Sequence, residues 1–190
     1  DRSVSNIFEV QDEVSLLIAE KARELLGHFE IQDHLVSRQT ENLDSYSWYL
    51  KGRYHFRKWN PEDARQALRC YEQALIQDPQ HAESMLGQAD ALSFLATTGN
   101  LPHEEYMPRY ADLIHQALKI NENLPEGYYQ LSHLHYFIYA NFADSLKAAK
   151  RSYELNQNYP EANQQMAFLY LCANKPDLAR PYIERSSQID

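Results

Sequence analysis

The chain has 190 residues, 44% of them hydrophobic and 24% charged, a length and mix that bury a sizeable core and exclude pervasive disorder. Its 27 acidic residues outnumber its 18 basic ones, a formal charge of −9 that repels phosphate backbones and argues against direct binding of nucleic acid. Two cysteines, Cys70 and Cys172, form neither a CxxC pair nor a disulfide framework and read as two buried thiols, and no apolar run approaches the ~18 residues of a membrane span.

The first element expected is an amphipathic helix. Asn6 and Glu9 make a capping-box pair ahead of it. Ile7, Val10, Val14, Leu17, Ile18, Leu25 and Leu26 recur at intervals of three and four, and Gly27 can end it. His28 to Leu43 is polar and aperiodic, and reads as a linker. The start, Asp1-Arg2-Ser3-Val4, carries no initiator Met, basic n-region or apolar h-region, so the chain reads as a piece of a longer protein.

From residue 44 onward the sequence repeats itself. Ala74-Leu75-Ile76-Gln77-Asp78-Pro79, Ala117-Leu118-Lys119-Ile120-Asn121, Ser152-Tyr153-Glu154-Leu155-Asn156 and Ser186-Ser187-Gln188-Ile189-Asp190 are similar words. Their Asp/Asn markers at 78, 121, 156 and 190 are 43, 35 and 34 residues apart. A fixed period near this length signals stacked repeats. Pro125-Glu126 and Pro160-Glu161 each open a new segment, where proline suits the first helical turn and an acid suits the positive helix end. Inside a unit the apolar spacing is helical with a break in the middle, as at Asn174-Lys175-Pro176-Asp177, so each unit reads as two antiparallel helices. The units are 44–80, 81–122, 124–157 and 158–190, behind an N-terminal part of 1–43. The second carries about nine extra residues around Thr97 to Met107.

These units resemble tetratricopeptide repeats. The resemblance rests on Trp48, Gly52, Ala67, Tyr71, Ala74 and Pro79 in the first. Ala89, Leu92, Ile114 and Ala117 carry it in the second, where Gln88 and Tyr110 depart from the pattern. The third supplies Tyr128, Leu131 and Ser132, with His135 where an aromatic is expected. The fourth supplies Met166, Ala167, Tyr170, Ala179 and Ile183. The family resemblance implies an all-α fold, an α-α superhelix of helix hairpins, here with an extra N-terminal helix. Ala67, Ala89, Ala167 and Ala179 then sit where helix axes approach to about 8–10 Å and a long side chain would force them apart.

The words Ile7-Phe8-Glu9-Val10-Gln11-Asp12-Glu13 and Tyr49-Leu50-Lys51-Gly52-Arg53-Tyr54 resemble the repeat region of bacterial multidomain regulators. In these an adenylate or guanylate cyclase or a helix-turn-helix DNA-binding domain precedes the repeats. That resemblance implies a regulatory interaction module, with Ile7–Leu26 docking on the first repeat, in the cytoplasm or alternatively in the periplasm. The alternative function is self-association that dimerises the upstream effector.

Residues for chemistry are missing. The five glycines are singletons, and no GxSxG, HExxH or CxxC occurs. His133 and His135 are two apart, which on a helix points them ~200° from each other. No catalytic residue, metal site or cofactor is therefore expected. Arg53, Arg57 and Lys58, the densest basic cluster, read as a solvated helix face.

In a stack of this kind the first helices of the units line a concave face. The register places Tyr46, Tyr49, Arg53, Phe56 and Arg57 there, then Glu83, Leu86, Asp90, Ser93 and Phe94. Glu126, Tyr129, His133, Tyr136 and Phe137 follow, then Glu161, Gln164, Phe168 and Leu171. Among these, Phe94, Phe137 and Phe168 are expected to be buried. The lysines and asparagines with which some tetratricopeptide proteins grip chaperone C-termini are absent, since Tyr49, Leu86, Asp90 and Tyr129 stand in those places. The partner expected is a protein or peptide, and one candidate is a second copy of the chain.

Overall fold

The computed structural model describes residues 40–189 together with Val10, Val14 and Leu17. Those three are helical, and Val14 and Leu17 are exposed. The rest of the expected N-terminal helix and linker lies outside the described residues.

Eight helices follow one another, and no strand occurs among the described residues. They are α1 (Leu43–Phe56), α2 (Pro61–Gln77), α3 (Ala82–Thr97), α4 (His103–Ile120), α5 (Pro125–His133), α6 (Phe142–Leu155), α7 (Pro160–Cys172) and α8 (Pro176–Ile189). A π-helical turn, Leu134–Ile138, extends α5. Each odd-numbered helix packs on the even one after it, and each even one on the next odd one. The odd helices also touch one another in sequence order, α1 on α3, α3 on α5 and α5 on α7. The result is the expected all-α superhelix of stacked hairpins.

Local signals set the boundaries. Asn42, Asn60 and Asn141 cap α1, α2 and α6 by accepting from the backbone N–H three residues on, at 3.0, 2.9 and 3.1 Å. Pro61, Pro125 and Pro160 occupy first turns, where a missing N–H costs nothing. The periodic Asp/Asn markers also acquire a cause. Asp78, Asn121 and Asn156 end α2, α4 and α6 in extended backbone. Their side chains accept from the N–H two residues on at 2.9, 3.0 and 2.9 Å, an Asx turn that aims the chain into the next hairpin.

The turn inside each hairpin needs one left-handed residue. Trp59, Gly99, Ala140 and Asn174 supply it, with φ of 50°, 72°, 50° and 56°. Only one of the four is glycine, so two carry a real steric penalty. The second unit's extra residues do not form a long loop. They lengthen α3 and α4, and only residues 98–102 separate the two.

Small residues are where the helices cross. Ala67, Ala89 and Ala179 are fully buried, and Ala167 is nearly so. The tightest crossing is built on Tyr71 of α2, whose ring lies between α1 and α3. A Cβ added at Gly52 or Gly87 would meet that ring at 2.5 Å. The largest apolar cluster joins α3, α4 and the start of α5 through Leu92, Tyr110, Ile114 and Leu134, and burial of side chains this large stabilises by about 2 kcal/mol each. Tyr110, which breaks the repeat pattern, is part of this core, and its hydroxyl donates to the Gln130 carbonyl at 3.2 Å. The pair of buried thiols is corrected: Cys70 is buried but Cys172 is exposed, within 3.3 Å of the Tyr136 hydroxyl, because the end of α7 has no helix over it on that side.

Candidate functional site

The four odd helices present the same row of positions, i, i+3 and i+7. α1 gives Tyr46, Tyr49 and Arg53; α3 gives Glu83, Leu86 and Asp90; α5 gives Glu126, Tyr129 and His133; α7 gives Glu161, Gln164 and Phe168. Those intervals keep side chains on one helical face. The stacking of odd helices in register then lays four faces side by side. Tyr49 and Leu86 are buried, so they form floor and wall. Arg53, Arg57 and Gln164 are exposed, and Tyr46, Glu83, Asp90, Glu126, Tyr129, His133 and Tyr136 are half-buried.

Aromatic contacts run the length of the row. Tyr46 meets Tyr49 at 6.2 Å, and the Arg53 guanidinium stands over the Tyr49 ring at 5.8 Å. Tyr129 packs on His133 at 4.6 Å and edge-on to Tyr159 at 5.9 Å. His133 meets Phe137 at 5.4 Å. Tyr159, the residue before α7, is a wall residue that the repeat register missed. It sits in an Asn158-Tyr159-Pro160 turn, and His81 and Leu124 hold the corresponding places ahead of α3 and α5.

Phe94 is half-buried, but Phe137 and Phe168 correct the expected burial. Phe137 is 61% exposed and Phe168 is 36% exposed. The π-helical turn at Leu134–Ile138 inserts an extra residue into the end of α5, a device that re-aims side chains. Phe137 is thereby stacked on Phe168 at 6.0 Å and 25° instead of under the next helix.

Charge in the row is one-sided. Glu83, Asp90, Glu126 and Glu161 face one basic group, Arg53. Burial pushes the Asp90 carboxyl up to about 7, with Glu161 and Glu126 adding to the rise. Burial likewise lifts Glu83 to about 7 and raises Glu126. The same desolvation holds the hydroxyls of Tyr49, Tyr129 and Tyr159 protonated and lowers His133. Beneath Glu83, His81 is fully buried between Ser45 and Ser84, whose hydroxyls lie 3.0 and 2.9 Å from its Nδ1. Burial brings it down to about 4, so it is neutral.

Two glutamines, 35 residues apart, clasp the odd helices from within. Gln130 Nε2 donates to the Leu86 carbonyl at 3.0 Å and to Asp90 Oδ1 at 2.8 Å. Gln165 Nε2 donates to Ser132 Oγ at 2.9 Å. Their recurrence at one period was the sequence signal that could have found them. Among the described residues no group of three His, Cys, Asp or Glu is arranged to hold a metal ion, and no helix is long and apolar enough to cross a membrane. The row has what a binding surface needs, which is aromatic area with polar groups to orient a ligand.

Comparison with known proteins shows the fold. No protein-family model matches the chain, and no curated protein matches it. Solved structures do. The chain is similar to TTC0263, a thermophilic tetratricopeptide (TPR) protein of Thermus thermophilus, with a TM-score of 0.65 and 14% identity over 93% of this chain and 81% of that one. It is similar to MamA, with a TM-score of 0.54 and 12% identity over 100% and 95% of the two chains. A chain of the APC/C hetero-tetramer Cut9-Hcn1 gives a TM-score of 0.55 and 15% identity, covering 97% of this chain and 37% of that one. At these identities the likeness is one of architecture: this chain has the tetratricopeptide-type superhelix, a fold suited to scaffolding between proteins.

Proposed function

We propose that the chain is a protein-interaction module that holds a segment of a partner along the concave row of α1, α3, α5 and α7. The observation that carries this reading is the repetition of i, i+3 and i+7 side chains that are aromatic or charged and reachable by solvent on four helices in register. A purely structural face would be closed with small apolar groups, as the crossings at Ala67, Ala89 and Ala179 are. The regulatory setting rests on the sequence words shared with bacterial cyclase and DNA-binding regulators. There the module reports occupancy to an effector, in the reducing cytoplasm that two free thiols suit. Catalysis has no place in the reading, because the row's titratable groups surround no nucleophile.

Photo-crosslinking tests it. Tyr129→p-benzoylphenylalanine should give adducts with proteins of the native cell, whereas the same substitution at exposed Arg69 on α2 should give none. Equal adducts from both positions would overturn the groove reading. A second reading, self-association, is favoured by Leu178 and Ile183, which are 48% and 46% exposed on α8. Sedimentation at rising concentration separates it, since a monomer throughout would exclude it.

A further inference from the structure

The groove reading leaves the partner's chemistry open, and the charge pattern narrows it. Carboxylates withdrawn from water are costly unless a cation or hydrogen bonds compensate them. Asp90, Glu126 and Glu161 have no lysine or arginine within 4 Å among the described residues, and Glu83 has only neutral His81, at 3.7 Å. Carboxylates at helix starts can be explained by the helix dipole, and Glu83, Glu126 and Glu161 stand at such starts. Asp90 does not, because it is in the ninth position of α3.

A second observation is independent of the acids. Gln130 is 1% exposed, in the seam between α3 and α5 that floors the groove. Its Nε2 is spent on Leu86 and Asp90, while its Oε1 has no donor. Because that oxygen is on the same planar amide, it lies beside the Asp90 carboxylate. A buried acceptor without a donor is rare and marks a place where a missing group belongs. Two acceptors side by side, walled by tyrosine rings, suit a guanidinium or ammonium group. Arg53 shows the arrangement at the α1 edge, where it stands over the Tyr49 ring within the field of Glu126.

We propose, resting on the groove reading, that the segment bound is cationic: a lysine or arginine side chain of another protein seats between Asp90, Glu126 and Glu161, against Gln130 Oε1 and the rings of Tyr129 and Tyr159. The chain's own residues 1–39 do not fit the role, having eight acidic side chains against four basic ones. A second copy at a formal −9 is repelled for the same reason. The occupant is a different, basic chain.

The test uses the full chain and three fluorescein-labelled nonapeptides, of arginine, of glutamate and of alternating serine and glycine, read by anisotropy and by the amide NMR shifts of residues 126–133. Nona-arginine should bind and move those amides. Asp90→Asn with Glu126→Gln should weaken it at least tenfold, while Glu104→Gln with Glu105→Gln, two exposed acids of α4, should change it less than twofold. Thermal unfolding accompanies each variant, and Glu161→Gln alone, with an expected threefold loss, serves if the double variant does not fold. Equal loss from both double variants would reduce the effect to overall charge and overturn the proposal. Failure of nona-arginine to bind, or equal binding by the uncharged peptide, would overturn the cationic partner as well. Groove crosslinks at position 129 would in that case leave the scaffold reading intact.

Discussion

The joint between the first and second hairpins and the joint between the third and fourth close the same kind of gap with different chemistry. At the first, the Tyr71 ring fills the space between α1 and α3, and both helices make room by having glycine at the contact, Gly52 and Gly87. At the last, a hydrogen-bonded relay does the work, from Gln165 of α7 to Ser132 of α5 and on to Ser145 of α6, at 2.9 and 3.0 Å. The first joint adjoins the largest buried cluster. The last adjoins a small one of Ala149, Met166 and Leu169, with Phe137 and Phe168 open to solvent beside it. A wedge depends on shape and tolerates no added volume, whereas a relay depends on partners and tolerates apolar replacement better. The superhelix is thus rigid at its amino end and more adaptable at its carboxyl end.

That contrast is open to direct attack. Gly87→Ala puts a methyl group where the Tyr71 ring already is, and should destabilise by about 3 kcal/mol in urea unfolding. Gln165→Leu removes one buried hydrogen bond yet leaves Ser132 paired with Ser145, and should destabilise by about 1 kcal/mol. The reverse order of the two losses would break the comparison.

Between the joints, Asp90 gives a pH signature. Its carboxyl titrates near 7 in the folded chain against an ordinary value of 3.8, so the folded form holds the proton more tightly than the unfolded one. The stability it contributes is full below the ordinary value and is lost as pH rises through 7. Asp90→Asn keeps an acceptor for Gln130 and removes the charge. The variant should match the native chain near pH 4 and exceed its stability by roughly 2 kcal/mol at pH 8, allowing for partial solvent access. A constant offset across that range would mean that Asp90 is ionised throughout.

The architecture could be read from residues whose chemistry is local. The Asp/Asn markers close their helices by hydrogen bonds two residues long, and the alanines at the crossings are excluded from water by geometry that repeats. The groove row was legible because one period and one helical face define it. What escaped depends on register shifts or on distant partners. The exposure of Phe137 follows from a π-helical turn that nothing in Leu134-His135-Tyr136-Phe137-Ile138 announces. Tyr159 looked like a turn residue, and its meeting with Tyr129 needs the superhelix to exist first. Gln130 and Gln165 read as ordinary helix surface, although they are 1% and 4% exposed.

The smallest effect sharpens the comparison at the hairpin turns. Trp59 and Ala140 both adopt φ of 50°, the first beside the tight joint and the second beside the adaptable one. A side chain in that region costs about 1 kcal/mol that glycine avoids. Ala140 is exposed and its methyl group has nothing to lose, so Ala140→Gly should stabilise by about 0.5–1 kcal/mol, the relief being trimmed by glycine's freedom in the unfolded chain. Trp59 is 68% exposed, but its indole packs on Phe56 and Phe94, each at 5.5 Å. Aromatic pairs are worth about 0.5–1.5 kcal/mol, so Trp59→Gly should lose in stacking what it gains in backbone relief and leave the melting temperature nearly unchanged. If both variants melt higher by the same margin, the Trp59 contacts contribute nothing, and the amino-terminal end owes its rigidity to Tyr71 alone.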